Sequence, residues 1–215
     1  MTVEADELRG DAYYNEFYKT GGWKYSLWKE TRGHRKNVVK RFGLRRGMRV
    51  LEVACGAGLH TAMLTRMGFD AVGVDRSSGG IEWARQHHPE ARYVCCDFRE
   101  MPFEPQSFDV VLARGCSHYH YDLMSRKALH STATIMRFIR PGGMFIMIIA
   151  SDLSGQREPD KIWQNTLEDY RRHFEFFGLQ SSVDWVDGMA ICALYNVPAV
   201  EIREAAPREE AVLSV

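Results

Sequence analysis

The sequence has no surplus of charge, no paired-cysteine spacing and no long apolar run, and each lack removes a class of function. Twenty-eight Lys and Arg offset 28 Asp and Glu, so no net field draws the chain toward nucleic acid or an anionic membrane surface. A small uncharged or zwitterionic partner is the expectation. The five cysteines (Cys55, Cys95, Cys96, Cys116, Cys192) are odd in number and contain no CxxC pair, which points away from a zinc site or redox motif and toward reduced thiols in a cytoplasmic protein. The longest apolar run, MFIMIIA at 144–150, falls far short of the roughly 20 residues that span a bilayer. The opening stretch MTVEADELRGD is acidic and lacks an apolar core, so neither a signal peptide nor a membrane span is expected. Internal repeats and low-complexity tracts are also missing.

What is present is ordinary for a folded soluble protein. Of the 215 residues, 45% are hydrophobic and 26% charged, enough for one substantial core and rather few for two. One domain over 1–200 is expected, with a helical lid at 1–42 and an α/β core at 43–200. The charged segment 201–215, which contains Pro207, reads as a loose tail.

Patterning gives the fold class. Residues 8 to about 42 read as two helices, the second from about Glu30 to Phe42. MRVLEVA (48–54) is a short apolar strand that stops at a glycine cluster, and LHTAMLTRMG (59–68) follows at helical spacing. The alternation repeats: FDAVGVD as strand, GGIEWARQHH as helix, ARYVCCD as strand, and SFDVVLAR as strand after a Pro-containing loop. A helix from about Asp122 to Ile139, the turn PGG, the strand MFIMIIA, a helix from about Asp160 to Phe177 and a terminal hairpin around Gly188 complete the chain. Strict alternation predicts a Rossmann-like α/β fold: a seven-stranded, mostly parallel sheet with helices on both faces and an antiparallel hairpin at its end.

An open parallel sheet binds ligands beyond the carboxyl ends of its strands. There the sequence has EVACGAG (52–58), in which Gly56 and Gly58 let a ligand lie against bare backbone. Glu52 can accept hydrogen bonds from a cation. Twenty-three residues on, Asp75 closes AVGVD, where an acid can take both ribose hydroxyls, and Asp97 closes YVCCD on the same rim. A nicotinamide-binding turn would need a third glycine where Thr61 stands, and Glu52 disfavours a pyrophosphate while suiting a cation.

With these residues in place, the chain from about Met48 to Val197 resembles the class I S-adenosylmethionine-dependent methyltransferases, of the small-molecule type. The resemblance implies S-adenosylmethionine as cofactor, with the turn Ala54, Gly56 and Gly58 against its methionine part and Glu52 supporting the ammonium group. It further implies Asp75 on the ribose, Asp97 and the backbone of Phe98 on adenine, Arg76 beside the adenine face, and Arg114 at the strand end that supplies backbone contacts near the ammonium. One departure is that Ala54 replaces the family's first turn glycine.

The loop RGCSHYHYD (114–122) would face the transferred methyl, and its His118 and His120 are the candidate bases, His118 favoured because it lies closer to the strand end. Cys116, His118 and His120 alternate, and His118 and His120 with Asp122 could be read as a metal site, but a fourth partner at a recognisable spacing is lacking, so no metal is expected. Residues 13–28 hold seven aromatics in 16, a plausible cover that shields the reaction or holds a cationic amine. The stretch 32–49 carries eight Arg or Lys and no acid, which reads as a solvated helix face rather than a nucleic-acid surface. The expected activity is methyl transfer to an amine or hydroxyl of a small molecule. RNA methylation, or cofactor binding without catalysis, is the alternative, and an edge hairpin leaves a homodimer open.

Overall fold

The computed structural model describes residues 11–199 apart from 20 and 160. The expected tail at 201–215 and the start of the N-terminal helix lie outside them. The sheet has seven strands: β1 (Arg49–Val53), β2 (Asp70–Asp75), β3 (Arg92–Cys95), β4 (Phe108–Arg114), β5 (Ile139–Ala150), β6 (Ser181–Val186) and β7 (Met189–Leu194). Their order is β3-β2-β1-β4-β5-β7-β6. The first five run parallel, and β7 joins β5 and β6 antiparallel.

The reason for this layout lies in the strands' side chains. Phe108 through Ala113 of β4 are all buried, so that strand needs cover on both faces, which only helices packed on each side can give. One face packs Leu51, Val53, Val111 and Phe145 into a large cluster, and the other packs Val50, Leu64, Leu112 and Ile146. Each such side chain, fully buried, contributes roughly 1.5–3 kcal/mol. The chain winds outward from β1 to β3 on one side and from β4 to β5 on the other, so the strand order reverses between β1 and β4. That reversal opens a crevice at the carboxyl edge.

The helices are α1 (Asp11–Tyr18), α2 (Leu27–His34), α3 (Leu59–Arg66), α4 (Ser78–His87), α5 (Arg126–Met136) and α6 (Leu167–Glu175). Several limits differ from those the periodicity predicts, and local hydrogen bonds explain them. The second helix begins at Leu27 after the extended residue Ser26 and runs on through a π-helical turn, Arg35–Lys40. The helix expected from Asp122 starts at Arg126, where the Ser125 hydroxyl accepts from the Ala128 N–H. It stops at Met136, since Ile139 is already paired with Phe108 in the sheet, carrying the PGG turn into β5. The helix expected from Asp160 starts at Leu167 because Thr166 and Asp169 cap it reciprocally. The hairpin turns at Asp187 and Gly188, both at positive φ (52° and 80°), the backbone a two-residue turn demands. β6, not β7, forms the sheet edge.

A buried polar chain fixes the loop after β4. Tyr119 donates to Thr132 Oγ1 (2.9 Å), Thr132 donates to His173 Nε2 (2.9 Å), and His173 Nδ1 donates to the Leu123 carbonyl (2.6 Å). Burial holds the His173 pKa below its ordinary value, so the ring is neutral and the donor order is self-consistent. Thr132→Val keeps the shape but strands the Tyr119 hydroxyl and His173 Nε2. Its expected cost is about 2 kcal/mol in urea unfolding; a change below about 0.5 kcal/mol would show that water or a rearranged partner replaces Thr132.

Candidate active site

The sheet register brings the expected residues to one edge. Val53 pairs with Val74 on one side and Ala113 on the other, and Asp75 pairs with Cys95, so the ends of β1, β2, β3 and β4 lie side by side. Beyond them are two adjoining hollows that share Tyr18, Ala54 and Gly115 in their walls. The smaller, ≈ 60 Å³, is lined by Tyr14, Asp75, Arg76, Asp97, Phe98 and His118 among others. The larger, ≈ 540 Å³, takes in Glu52, Gly58, Arg114 and His120, with Trp23, Tyr25 and Trp83 on its outer side.

The turn between β1 and α3 is held in a left-handed path. Gly56 and Gly58 have φ of +52° and +76°. A Cβ on Gly56 would stand 2.5 Å from the Tyr18 hydroxyl, and one on Gly58 would stand 2.5 Å from the Tyr93 ring. The Gly56 N–H donates to Asp75 Oδ2 and the Ser77 N–H to Asp75 Oδ1, each at 2.8 Å. Each carboxylate oxygen thus accepts from a backbone donor of the turn region. Ala54, the residue in place of the family's glycine, has φ +56°, a conformation that costs an L-residue roughly 1 kcal/mol.

Glu52 is 2% exposed and accepts a short hydrogen bond from the Thr61 hydroxyl. Burial pushes its pKa up to about 7, partly offset by the Thr61 bond and the Arg114 charge. A buried carboxylate this short of compensation calls for a cation, and an ammonium group reaching the larger hollow meets that need. Together with the close approach that Gly56 and Gly58 permit at the turn, a buried carboxylate awaiting a cation makes the residues present a fit for S-adenosylmethionine.

At the other end, Asp97 is clasped by the Arg99 guanidinium, with Nε at 2.9 Å and Nη2 at 2.5 Å, which holds its pKa below the usual carboxylate range. Asp97 caps the short turn Phe98–Glu100 rather than ending β3. The His118 ring lies 5.0 Å from that of Phe98. Ser131 Oγ donates to the Lys127 carbonyl (2.7 Å), so His118 Nδ1, 2.7 Å away, donates to Ser131. His118 and His120 therefore face different hollows, a separation that their spacing in the loop does not reveal.

A polar cluster that the sequence reading missed joins the N-terminal segment to this edge. Arg114 donates through Nε to His60 Nε2 and through Nη2 to Glu30 Oε2, both at 2.8 Å, and lies over the Tyr25 ring. Glu30 Oε2 is also 3.1 Å from His60 Nε2, but one nitrogen cannot both accept from Arg114 and donate to Glu30. Burial depresses the His60 pKa, so the ring is neutral, Nε2 accepts, and Arg114 bridges the two. Only one signal could have found this: Glu30 is the sole acid between 23 and 41. On α1, Asn15 Oδ1 accepts from the Ser77 hydroxyl (2.8 Å) and the Gly79 N–H (3.1 Å), fixing α1 over the start of α4.

Residues 51–147 match the model of the methyltransferase domain family. Over 104 residues the chain is 39% identical to phthiotriol/phenolphthiotriol dimycocerosates methyltransferase 1 of Mycobacterium ulcerans, covering 46% of this chain and 36% of that protein. Over 119 residues it is 31% identical to demethylmenaquinone methyltransferase of Renibacterium salmoninarum, covering 55% of this chain and 48% of that protein. The chain thus matches between about a third and about half of these curated relatives' length. The solved structure of the DhpI–SAH complex shares the fold, with a TM-score of 0.67 at 18% identity over 87% of this chain and 95% of that one. Residues 51–147 are thus similar to the methyltransferase domain family, and the chain shares the fold of the DhpI–SAH complex.

Two predictions follow from the turn and from Glu52. Ala54→Gly relieves the positive φ and is expected to raise stability by about 0.5–1 kcal/mol in thermal or urea unfolding; a loss of stability would mean that the alanine methyl packs better than its backbone is strained. Between the unfolded pKa of Glu52, 4.5, and its folded value of about 7, the folded state holds the extra proton, so this group's contribution to stability falls as pH rises through that window. A cationic ligand prefers the ionised form, so S-adenosylhomocysteine affinity should fall as pH drops below about 7, by up to tenfold per unit. Glu52→Gln should bind weakly and without that slope, as calorimetry from pH 5 to 8 would show; matching slopes in both proteins would exclude Glu52.

Proposed function

We propose that this protein transfers the methyl group of S-adenosylmethionine to an amine or hydroxyl of a small molecule held in the larger hollow. The observation that carries this reading is the pair of adjoining hollows meeting at Tyr18, Ala54 and Gly115. One has the acids and aromatic wall that suit a nucleoside. The other, at ≈ 540 Å³, falls in the range of roughly 300–1,000 Å³ usual for small-molecule sites.

When bound, S-adenosylmethionine supplies an electrophilic methyl on a sulfonium. Asp75 would hold the ribose hydroxyls, Asp97 and Phe98 the adenine with Arg76 alongside, and Glu52 the ammonium at the Ala54–Gly58 turn. Tyr14 and Tyr18 close the nucleoside side to ≈ 60 Å³, so loading requires Tyr18 to swing off Gly56. The aromatic wall of the larger hollow excludes water and orients the acceptor behind the methyl, which supplies much of the rate. As that acceptor forms its bond to carbon, its proton must leave. His120, in the wall of this hollow, suits the role of base better than His118, whose ring packs beside Phe98. RNA as acceptor is disfavoured because Arg41 and Arg49 of the basic stretch are tied to Asp184 and Asp70. An ample hollow with a histidine in its wall speaks against a purely cofactor-binding role.

Incubation with methyl-labelled cofactor and a metabolite extract should yield a labelled small molecule. Asp75→Ala should abolish transfer through lost cofactor binding. His120→Ala should retain the cofactor yet slow transfer about 10²-fold; transfer at the wild-type rate would remove His120 from the mechanism, and label found solely in RNA would overturn the acceptor class.

A further inference from the structure

Overall neutrality conceals a sharp local segregation of charge and apolar surface. Every residue from 23 through 29 is exposed, among them Trp23 (63%), Leu27 (45%) and Trp28 (67%). Large apolar side chains at such exposure, clustered in one short segment, mark an interaction surface rather than incidental exposure. Beside them, Trp28, Thr31, Arg32, Arg35, Lys36 and Lys40 line a groove of ≈ 450 Å³. Arg32 lies 5.5 Å over the Trp28 ring, so a cation and an indole face are presented together. The one acid between 23 and 41, Glu30, turns inward to Arg114, and this removes the negative charge that would otherwise neutralise the patch.

We infer that the loop before α2, α2 itself and the π-helical turn after it form a docking surface for an anionic phospholipid bilayer. Indoles and a leucine insert at the headgroup boundary while the flanking Arg and Lys meet lipid phosphate, the division of labour of an interfacial amphipathic segment. No helix among the described residues is long and apolar enough to cross a membrane, so contact is at the surface. The position of the patch matters for chemistry: Trp23 and Tyr25 also stand in the wall of the ≈ 540 Å³ hollow. An acceptor partitioned into the bilayer would thereby reach the transfer site without crossing water. This last step rests on the reading of that hollow as the acceptor site; the docking itself does not. A bilayer is favoured over RNA because the patch pairs its cations with an exposed leucine as well as indoles, and leucine adds nothing to base stacking.

The test is sedimentation of the full chain with sucrose-loaded vesicles of phosphatidylcholine alone or with 30% phosphatidylglycerol, at low and at physiological salt. Binding to the anionic vesicles should exceed that to neutral ones at least tenfold and weaken with salt. Arg35→Glu with Lys36→Glu should lower the partition coefficient at least tenfold, and so should Leu27→Ser with Trp28→Ser. Both variants should bind S-adenosylhomocysteine as wild type does, so a failed cofactor reading and a failed docking reading give different patterns. Equal binding to both vesicle types, no binding to either, or binding unmoved by both double substitutions would overturn the proposal. Salt-sensitive capture of an RNA oligonucleotide in place of vesicles would overturn it in favour of nucleic acid.

Discussion

The Gly56 N–H reaches the Asp75 carboxylate at 2.8 Å, and this bond between the turn after β1 and the end of β2 is the constraint on which the site depends. It exists because β1 and β2 are parallel neighbours in register, Val53 beside Val74, and because the turn carries no side chain at 56 to intervene. The same register sets Ala113 on the other flank of Val53, so the loop after β4 closes the crevice from the opposite side. Carboxylates that the sequence spreads over 45 positions, from Glu52 to Asp97, thereby converge on one edge. Asp75 braces the turn through backbone donors while standing in the wall of the smaller hollow.

The N-terminal segment is fastened to that edge at two separate places. Asn15 holds α1 at the start of α4, and Glu30 holds α2 through Arg114 to His60. Between these anchors, Tyr18 stands over Gly56 and divides the crevice into two hollows. Charge-assisted hydrogen bonds in partly buried surroundings are stronger than exposed ion pairs but still only a few kcal/mol. Anchors of that strength can break and re-form without the sheet rearranging. The segment's outer surface carries the exposed indoles and the basic groove, so the element that screens the crevice is also the element that meets the surroundings.

The fold was legible because a parallel sheet covered on both faces imposes continuous apolar runs, and glycine clusters mark where those runs turn. MRVLEVA, AVGVD and SFDVVLAR are all strands. Helix limits were less legible, since hydroxyl caps at Ser125 and Thr166 set them, and a periodic pattern runs past a cap without a break. Of the site, Glu52, Ala54, Gly58, Asp75, Arg76, Asp97, Phe98 and Arg114 come to the walls of the two hollows, because strand ends in one sheet are neighbours by construction, whereas Gly56 lies against the Tyr18 hydroxyl. The Glu30–Arg114–His60 cluster was hidden: its members are 30 and 54 residues apart and meet only through tertiary packing. The division of His118 and His120 between hollows was equally hidden, as it follows from the short helical turn at Ser117–Tyr119.

Calorimetric titration of the full chain with S-adenosylhomocysteine at neutral pH, set against the same titration with NAD⁺, tests the central claim most directly. The carboxylate at 52 and the missing third glycine predict one saturable site for the sulfur nucleoside and no measurable heat from the dinucleotide. Saturable NAD⁺ binding, or silence toward S-adenosylhomocysteine, would contradict the account.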